Sequence, residues 1–408
     1  MSNIKVHVDD IDDKTLFTSK TLSFNSTSIQ TPCKLFDLNA TTGTYGSLQN
    51  LNSELLDSVN IIEKSHIIKL ESFKKAVEDP YPKFITNYNS LKNGELTRDK
   101  QIITSLTLDF NPYTISQADD YLESFLSLYY NRSDVLLIPN LKTVHSGPAH
   151  GSSKSTRVTI TEPAEYLKYV DYSYSQLEYR NSKPIFVPLP LRYGQKKFIE
   201  IVKIYLAAGY RYFWMDFEGG SVTTKMSMIR SFHQNVDSMG LTEDVVLYGS
   251  NIRRERNPRR LTVACPAGDI ISAPLGVDII GVNRDPMAWP GAHNPEKIPH
   301  NEKVEYHARL LDRDDYSYVR FSENVNRDIL LEKYAINRQQ IDSIPKFYAN
   351  VINTFEMNDE LALHRRMVAE NDSLLSYLGS KKEIDEQTLK GFTKERKSQT
   401  APKLDDFF

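Results

Sequence analysis

Apolar runs that finish on an aspartate constrain this chain more than any other feature. Ser105-Leu-Thr-Leu-Asp109, Tyr212-Phe-Trp-Met-Asp216 and Gly276-Val-Asp278 each read as a strand closing on a carboxylate. Strands apolar on both faces belong in a parallel sheet covered by helices, because a half-solvated sheet alternates polar and apolar residues. Stretches with helical periodicity lie between the runs. Residues 116–130 place Ala118, Tyr121, Leu122, Phe125 and Leu128 on one face. Residues 195–208 do the same with Phe198, Ile201, Val202 and Tyr205, and Gly209 supplies a stop. Candidate strands fall at 33–38, 102–108, 135–138, 184–188, 210–215, 245–248 and 277–282. Repeated βα units of this kind predict an α/β fold, a TIM-type (β/α)8 barrel spanning residues 21–320.

The flanking segments read differently. Residues 1–20 are polar and acidic, which predicts a flexible leader, and no signal-peptide core is present. Helical patterns at 329–335, 344–356 and 361–378 predict a C-terminal extension, residues 321–379, packed on the barrel. Residues 380–408 are charged and polar, the composition of a disordered tail. A formal charge of −3 excludes a globally basic nucleic-acid coat and leaves only local patches. Cys33 and Cys265 are too few for a four-thiolate zinc site or a disulfide framework, so a cytoplasmic protein with no metal or cofactor is expected. The sequence holds no run of 18 apolar residues, so no helical membrane span is expected.

In a parallel barrel the loops after the strands build the site. Asp109, Asp216 and Asp278 are therefore expected to converge on one mouth as catalytic carboxylates. Asp109 and Asp278 form the favoured pair, with Asp216 the rival for either role. In the turn after Asp216, Glu218 can accept hydrogen bonds from a ligand, while Gly219 and Gly220 free backbone amides for its carbonyl. Asn140 and Arg192, near the ends of neighbouring strands, complete the expected substrate-binding set. Arg253, Arg254, Arg256, Arg259 and Arg260 form the densest basic cluster, and planar guanidinium groups there would clamp phosphates. Arg284 is a further phosphate contact of the same kind. Each of these also has a plainer reading, since aspartates cap turns and charge runs are often solvated faces.

Taken in order, several segments resemble the tRNA-guanine transglycosylase superfamily, in particular its DNA-modifying, DpdA-like branch. The resemblance covers residues 21–378 as an order of segments. It rests on Phe24-Asn-Ser-Thr-Ser-Ile-Gln-Thr-Pro32, Ser65-His66-Ile-Ile-Lys-Leu70, Leu108-Asp109-Phe-Asn-Pro, Phe186-Val-Pro-Leu-Pro-Leu-Arg192-Tyr-Gly, Asp216-Phe-Glu-Gly-Gly220 and Gly268-Asp-Ile-Ile-Ser-Ala-Pro-Leu-Gly-Val-Asp278. Glu356 to Leu378 is similar to the family's C-terminal helices. Phe110-Asn111-Pro112 replaces the family's glycines after Asp109, and the zinc signature is missing. Overlaying the family's nucleophile stretch puts Gly281 at the nucleophile position and Asp278 on the neighbouring aspartate. The resemblance implies exchange of a 7-deazaguanine base into DNA, with tRNA as the alternative polymer and a non-catalytic nucleic-acid-binding barrel as the other reading. The tail, Ala401-Pro-Lys-Leu404-Asp-Asp-Phe407-Phe408, resembles a sliding-clamp-binding motif, which implies a clamp partner held through Leu404, Phe407 and Phe408.

Overall fold

The computed structural model describes residues 4–24, 27–37, 51, 55, 59, 61–78, 100–115, 117–131, 133–142, 162–180, 183–254, 263–284 and 308–393. Strands β1 (Lys5–Ile11), β2 (Thr18–Phe24) and β3 (Thr27–Thr31) make a small antiparallel sheet. The barrel begins with β4 (Cys33–Lys34) and β5 (Phe36–Asp37), two halves of one stave separated by Leu35. It continues through β6 (Ile61–Ile68), β7 (Gln101–Leu108) and β8 (Val135–Leu137), with β9 (Asn140–Leu141) pairing alongside β7. Then come β10 (Ile185–Leu189), β11 (Tyr212–Asp216) and β12 (Val246–Ser250). After β13 (Ala264–Pro266), which lies in another sheet, β14 (Ile279–Ile280) completes the circuit. All barrel pairings are parallel, and residues 33–37 close the ring: β4 pairs with β14 and β5 with β6. This is the expected TIM-type α/β architecture.

Helices α1 (Leu70–Glu78), α2 (Ala118–Tyr130), α3 (Pro163–Glu178), α4 (Gln195–Ala207) and α5 (Val222–Ser238) belong to the βα repeats. Their apolar stripes pack on the outward faces of the staves, with Phe125, Tyr166, Phe198 and Phe232 among the buried contacts. Inside the ring the character changes along the axis. Ile61, Ile103, Val135, Val246 and Ile279 share a core with Ile4, Leu22 and Phe24, so the small β1–β3 sheet plugs the end where the staves start. Midway sit Leu137, Phe186, Trp214 and Tyr248, packed in the same core. Period-two alternation along the staves then places Ser65, Thr107, Asp216 and Ser250 at the far end, which is polar. That gradient directs ligand chemistry to one mouth.

Three expectations need correcting. Residues 5–11 and 18–24 are strands, not a loose leader, because Phe17 and Leu22 are fully buried. The predicted helices at 344–356 and 361–378 are largely one, α8 (Pro345–Ala369), preceded by α6 (Arg327–Lys333) and α7 (Arg338–Ser343) and followed by α9 (Leu374–Gly379). Residues 380–393, expected to belong to a disordered tail, are ordered and packed. Asp385 accepts the Thr388 N–H at 2.6 Å and caps α10 (Glu386–Phe392), whose Phe392 is fully buried. Residues 394–408, with Leu404, Phe407 and Phe408, lie outside the described residues. Strands β15 (Arg309–Asp312) and β16 (Ser317–Arg320) were not anticipated. They form a three-stranded sheet with β13, over which α8 lies.

Candidate active site at the barrel mouth

Asp216 ends β11 and points into the barrel, 3% exposed. One oxygen accepts Asn251 Nδ2 at 2.8 Å and the Glu218 N–H at 2.9 Å. The other accepts Thr107 Oγ1 at 3.2 Å from the far side of the ring and Asn140 Nδ2 at 3.4 Å. Four donors from four strand ends converge on this carboxylate, which compensates its burial. Asn140 is held in turn by the Tyr166 hydroxyl at 3.1 Å. Arg192 lies over the rings of Tyr166 and Tyr193, 4.8 and 5.3 Å from their centroids, and bonds the Leu141 carbonyl. Asn140 thus reaches Asp216, while Arg192 stands one contact further out, over Tyr166 and Tyr193.

Asp109 stands two residues beyond Thr107 on the same strand end. It is partly exposed and forms an ion pair with Lys142 at 3.1 Å. Asp278 does not join them. It precedes β14 instead of following a strand, and it lies level with Leu247 near the start of β12. Asp216 pairs with Ser250 at the end of that same strand, three residues further along, roughly 10 Å at strand rise. Asp278 is 1% exposed and bonded to Lys20 of β2 at 2.9 and 3.1 Å and to the Leu247 N–H at 2.8 Å. Burial raises its carboxyl above the ordinary range, and the Lys20 ammonium opposes that. The convergence of all three aspartates is therefore not observed: Asp109 and Asp216 stand at mouth-side strand ends with separate partners, and the third ties the plug sheet to the barrel's other end.

The turn after Asp216 is tight. Glu218 and Asn251 both have left-handed backbones, φ 51° and 53°, and residues other than glycine hold that conformation only under constraint. The Gly219 N–H donates to the Asn251 carbonyl at 2.8 Å and the Gly220 N–H to the Phe217 carbonyl at 2.7 Å. These amides brace the turn and are not free for a ligand, contrary to expectation. Arg253 Nε bonds the Gly219 carbonyl at 3.0 Å and faces a 520 Å³ hollow between the start of α5 and residues 382–388. Arg254 is buried, 5.1 Å over the Tyr318 ring and 3.2 Å from Asn350 Oδ1. Arg256, Arg259 and Arg260 lie outside the described residues.

A cavity of about 270 Å³ opens beside Asn251. Asp37, Ser65 and His66 line it from β5 and β6, and Asn283 and Arg284 from the segment after β14. Arg254, Lys346 and Asn350 complete it, the last two from α8. Burial lowers His66 to about 4, with help from Lys64, so its imidazole is neutral at pH 7. Sequence reasoning missed Asp37, although Leu35-Phe36-Asp37 carries the same signature of an apolar run closing on an acid. It also missed Asp269, fully buried against the Tyr318 hydroxyl at 3.0 Å and Asn283 Nδ2 at 2.8 Å.

Glu63, in the middle of β6, was missed as well. It is fully buried and accepts the Ser105 hydroxyl and the Val282 N–H, both at 2.6 Å. Burial pushes its carboxyl up to about 7. A Cβ at Gly281 would collide with both Glu63 Oε2 and the Tyr248 hydroxyl, so only glycine fits there. Gly281→Ala is expected to destabilise the fold by about 1–3 kcal/mol in urea unfolding, as overpacked cores do. An unchanged midpoint would show that the shaft has room to spare.

Among the described residues no group of three His, Cys, Asp or Glu side chains is arranged to hold a metal ion. No described helix is long and apolar enough to cross a membrane. No family model matches this sequence, and no curated protein is significantly similar to it.

Proposed function

We propose that this chain is a base-exchanging glycosyltransferase, a transglycosylase that inserts a 7-deazaguanine base into DNA. The observation that supports it best is the mouth itself. Asp37, Asp109 and Asp216 come from three separate strand ends, and a hollow large enough for a nucleobase stands beside Asp37 with Arg254, Arg284 and Lys346 on its walls. Base exchange needs one carboxylate to attack or stabilise the anomeric carbon and a second group to move protons on the departing base. In this reading Asp37 faces C1′, and the bond from C1′ to the guanine N9 breaks as a bond from C1′ to the carboxylate forms. A water at the open mouth, oriented by Asp109, gives the leaving base its proton, and the incoming base returns that proton as both steps reverse. Asp216 orders the mouth through its four donors, and Asp278 takes no part. DNA is favoured as the polymer by the clamp-like sequence at residues 404–408, and the target base would be flipped from the stack to reach the mouth.

Incubation of the full chain with labelled 7-cyano-7-deazaguanine and either duplex DNA, single-stranded DNA or tRNA tests this reading. Incorporation into DNA is expected, falling on the order of 10²-fold or more in Asp37→Asn and Asp109→Asn. Label in tRNA alone would transfer the chemistry to the other polymer, and label in none would remove the proposal.

A further inference from the structure

The Gly281–Val282 peptide is held from both ends by buried charges. Its carbonyl accepts Lys34 Nζ from β4, and its N–H donates to Glu63 Oε2 from β6 at 2.6 Å. Both side chains are buried, Lys34 at 7% exposed and Glu63 at 0%. They come from the closing stave and from β6, the stave paired beside it. The same peptide begins the segment Val282, Asn283 and Arg284, which forms one wall of the mouth cavity. We propose that Glu63 and Lys34 are positioning residues for the mouth cavity, gripping opposite ends of the Gly281–Val282 peptide and so fixing that wall.

Two independent features support the assignment. Gly281 has no side chain because Glu63 and Tyr248 fill the space one would need, so the carboxylate and this backbone fit together. Further along the wall, Asn283 Nδ2 is tied to Asp269 at 2.8 Å and to the Ile252 carbonyl at 3.2 Å, and the Arg284 N–H to the Ile252 carbonyl at 3.0 Å. The rest of the wall is therefore anchored to β12's exit loop, and the Glu63–Lys34 grip sets its other end.

The grip depends on charge. A hydrogen bond to an ionised carboxylate is shorter and about twice as strong as one to a neutral acceptor. Facing Glu63 are Asp37 from β5, Ser105 from β7 and Tyr248 from β12; Lys34 from β4 is in turn acted on by Glu63, Asp37, Asp269 and Arg254. The balance of burial and these groups places Glu63 at about 7, so the wall is held more firmly on the alkaline side of neutrality.

Amide hydrogen exchange on the full chain, read by mass spectrometry and corrected for intrinsic rate, tests this without any substrate and so independently of the proposed reaction. Protection of residues 281–284 measured relative to strand β11 is expected to rise about tenfold between about pH 5.5 and 8.5 in the wild type. Glu63→Gln, which cannot ionise, is expected to abolish the rise, and Lys34→Met to lower protection at every pH. Ser105→Ala keeps the test open should Glu63→Gln fold poorly. Losing a hydrogen bond that favours the ionised form, it should move the midpoint to higher pH. An identical pH profile in wild type and both Glu63→Gln and Ser105→Ala, or full protection in Lys34→Met, would overturn the proposal.

Discussion

Lys20→Met will destabilise the protein by about 3–5 kcal/mol, the usual consequence of stranding one partner of a buried ion pair. Lys20 and Asp278 have side chains only 5% and 2% exposed, and the ammonium also bonds the Val245 carbonyl at 2.7 Å. Without it the Asp278 carboxylate keeps the Leu247 N–H and loses its counter-charge. Lys20→Met combined with Asp278→Asn should recover most of the loss, because the amide carries no uncompensated charge and still accepts from Leu247. Urea unfolding of the three proteins measures this directly. Asp278→Asn alone also separates structure from catalysis. With Asp278 at the plug end, the folded variant should keep its turnover wherever activity is found. A well-folded Asp278→Asn that had lost about 10³-fold in rate would refute the structural role given to it here.

Glu63→Gln will flatten the dependence of stability on pH and make the protein more stable than the wild type above neutrality. The folded carboxyl sits at about 7, against 4.5 for a free glutamate. The native state therefore holds this proton longer than the unfolded chain does. Its contribution to stability is complete below pH 4.5 and declines as pH rises towards 7. A shift of that size corresponds to about 3 kcal/mol. Near pH 5 the variant and wild type should differ by about 1 kcal/mol or less. At pH 8 glutamine should hold an advantage approaching the full amount. Other buried acids, Asp269 and Asp278, are raised in the same direction, and comparing variant with wild type cancels them. Parallel stability profiles across this range would mean that Glu63 ionises no differently in the two states. The stability and exchange expectations run in opposite directions, since ionising Glu63 tightens one wall while making the whole fold less favourable.

The βα rhythm was legible because buried staves leave uninterrupted apolar runs, and the strand ends at Asp109 and Asp216 followed from it. The stave that was not anticipated, β6, reads Ile61-Ile-Glu63-Lys-Ser65-His66-Ile-Ile, with four polar residues in its centre. Those residues look like a loop in sequence. Glu63 faces the barrel interior beside Tyr248, where Ser105 and the Val282 amide satisfy it. Asp278 misled for a related reason. The apolar stretch before it is a 3-10 helix, Ile270–Leu275, and the strand follows the aspartate. An acid beside an apolar run marks a strand boundary without saying which boundary. The first strand of the plug sheet went unread because it alternates exposed and half-buried residues, a pattern carrying little hydrophobic signal.

The stave formed by residues 33–37 also bears on how the molecule is assembled. Lys34 meets β14 through Ile280, and its backbone N–H and carbonyl are both engaged by the Asn358 amide of α8, at 2.7 and 2.9 Å. That amide imitates a neighbouring strand for one residue at the break between β4 and β5. Asn358 can add its clamp only once α8 is made, 324 positions after Lys34, whereas ring closure itself waits on β14, whose Ile280 pairs with Lys34. Until then the first stave keeps an open edge, and such edges invite pairing with other chains. Synthesis from the N-terminus therefore leaves closure as a late event that waits on β14, with the long C-terminal helix reinforcing it afterwards.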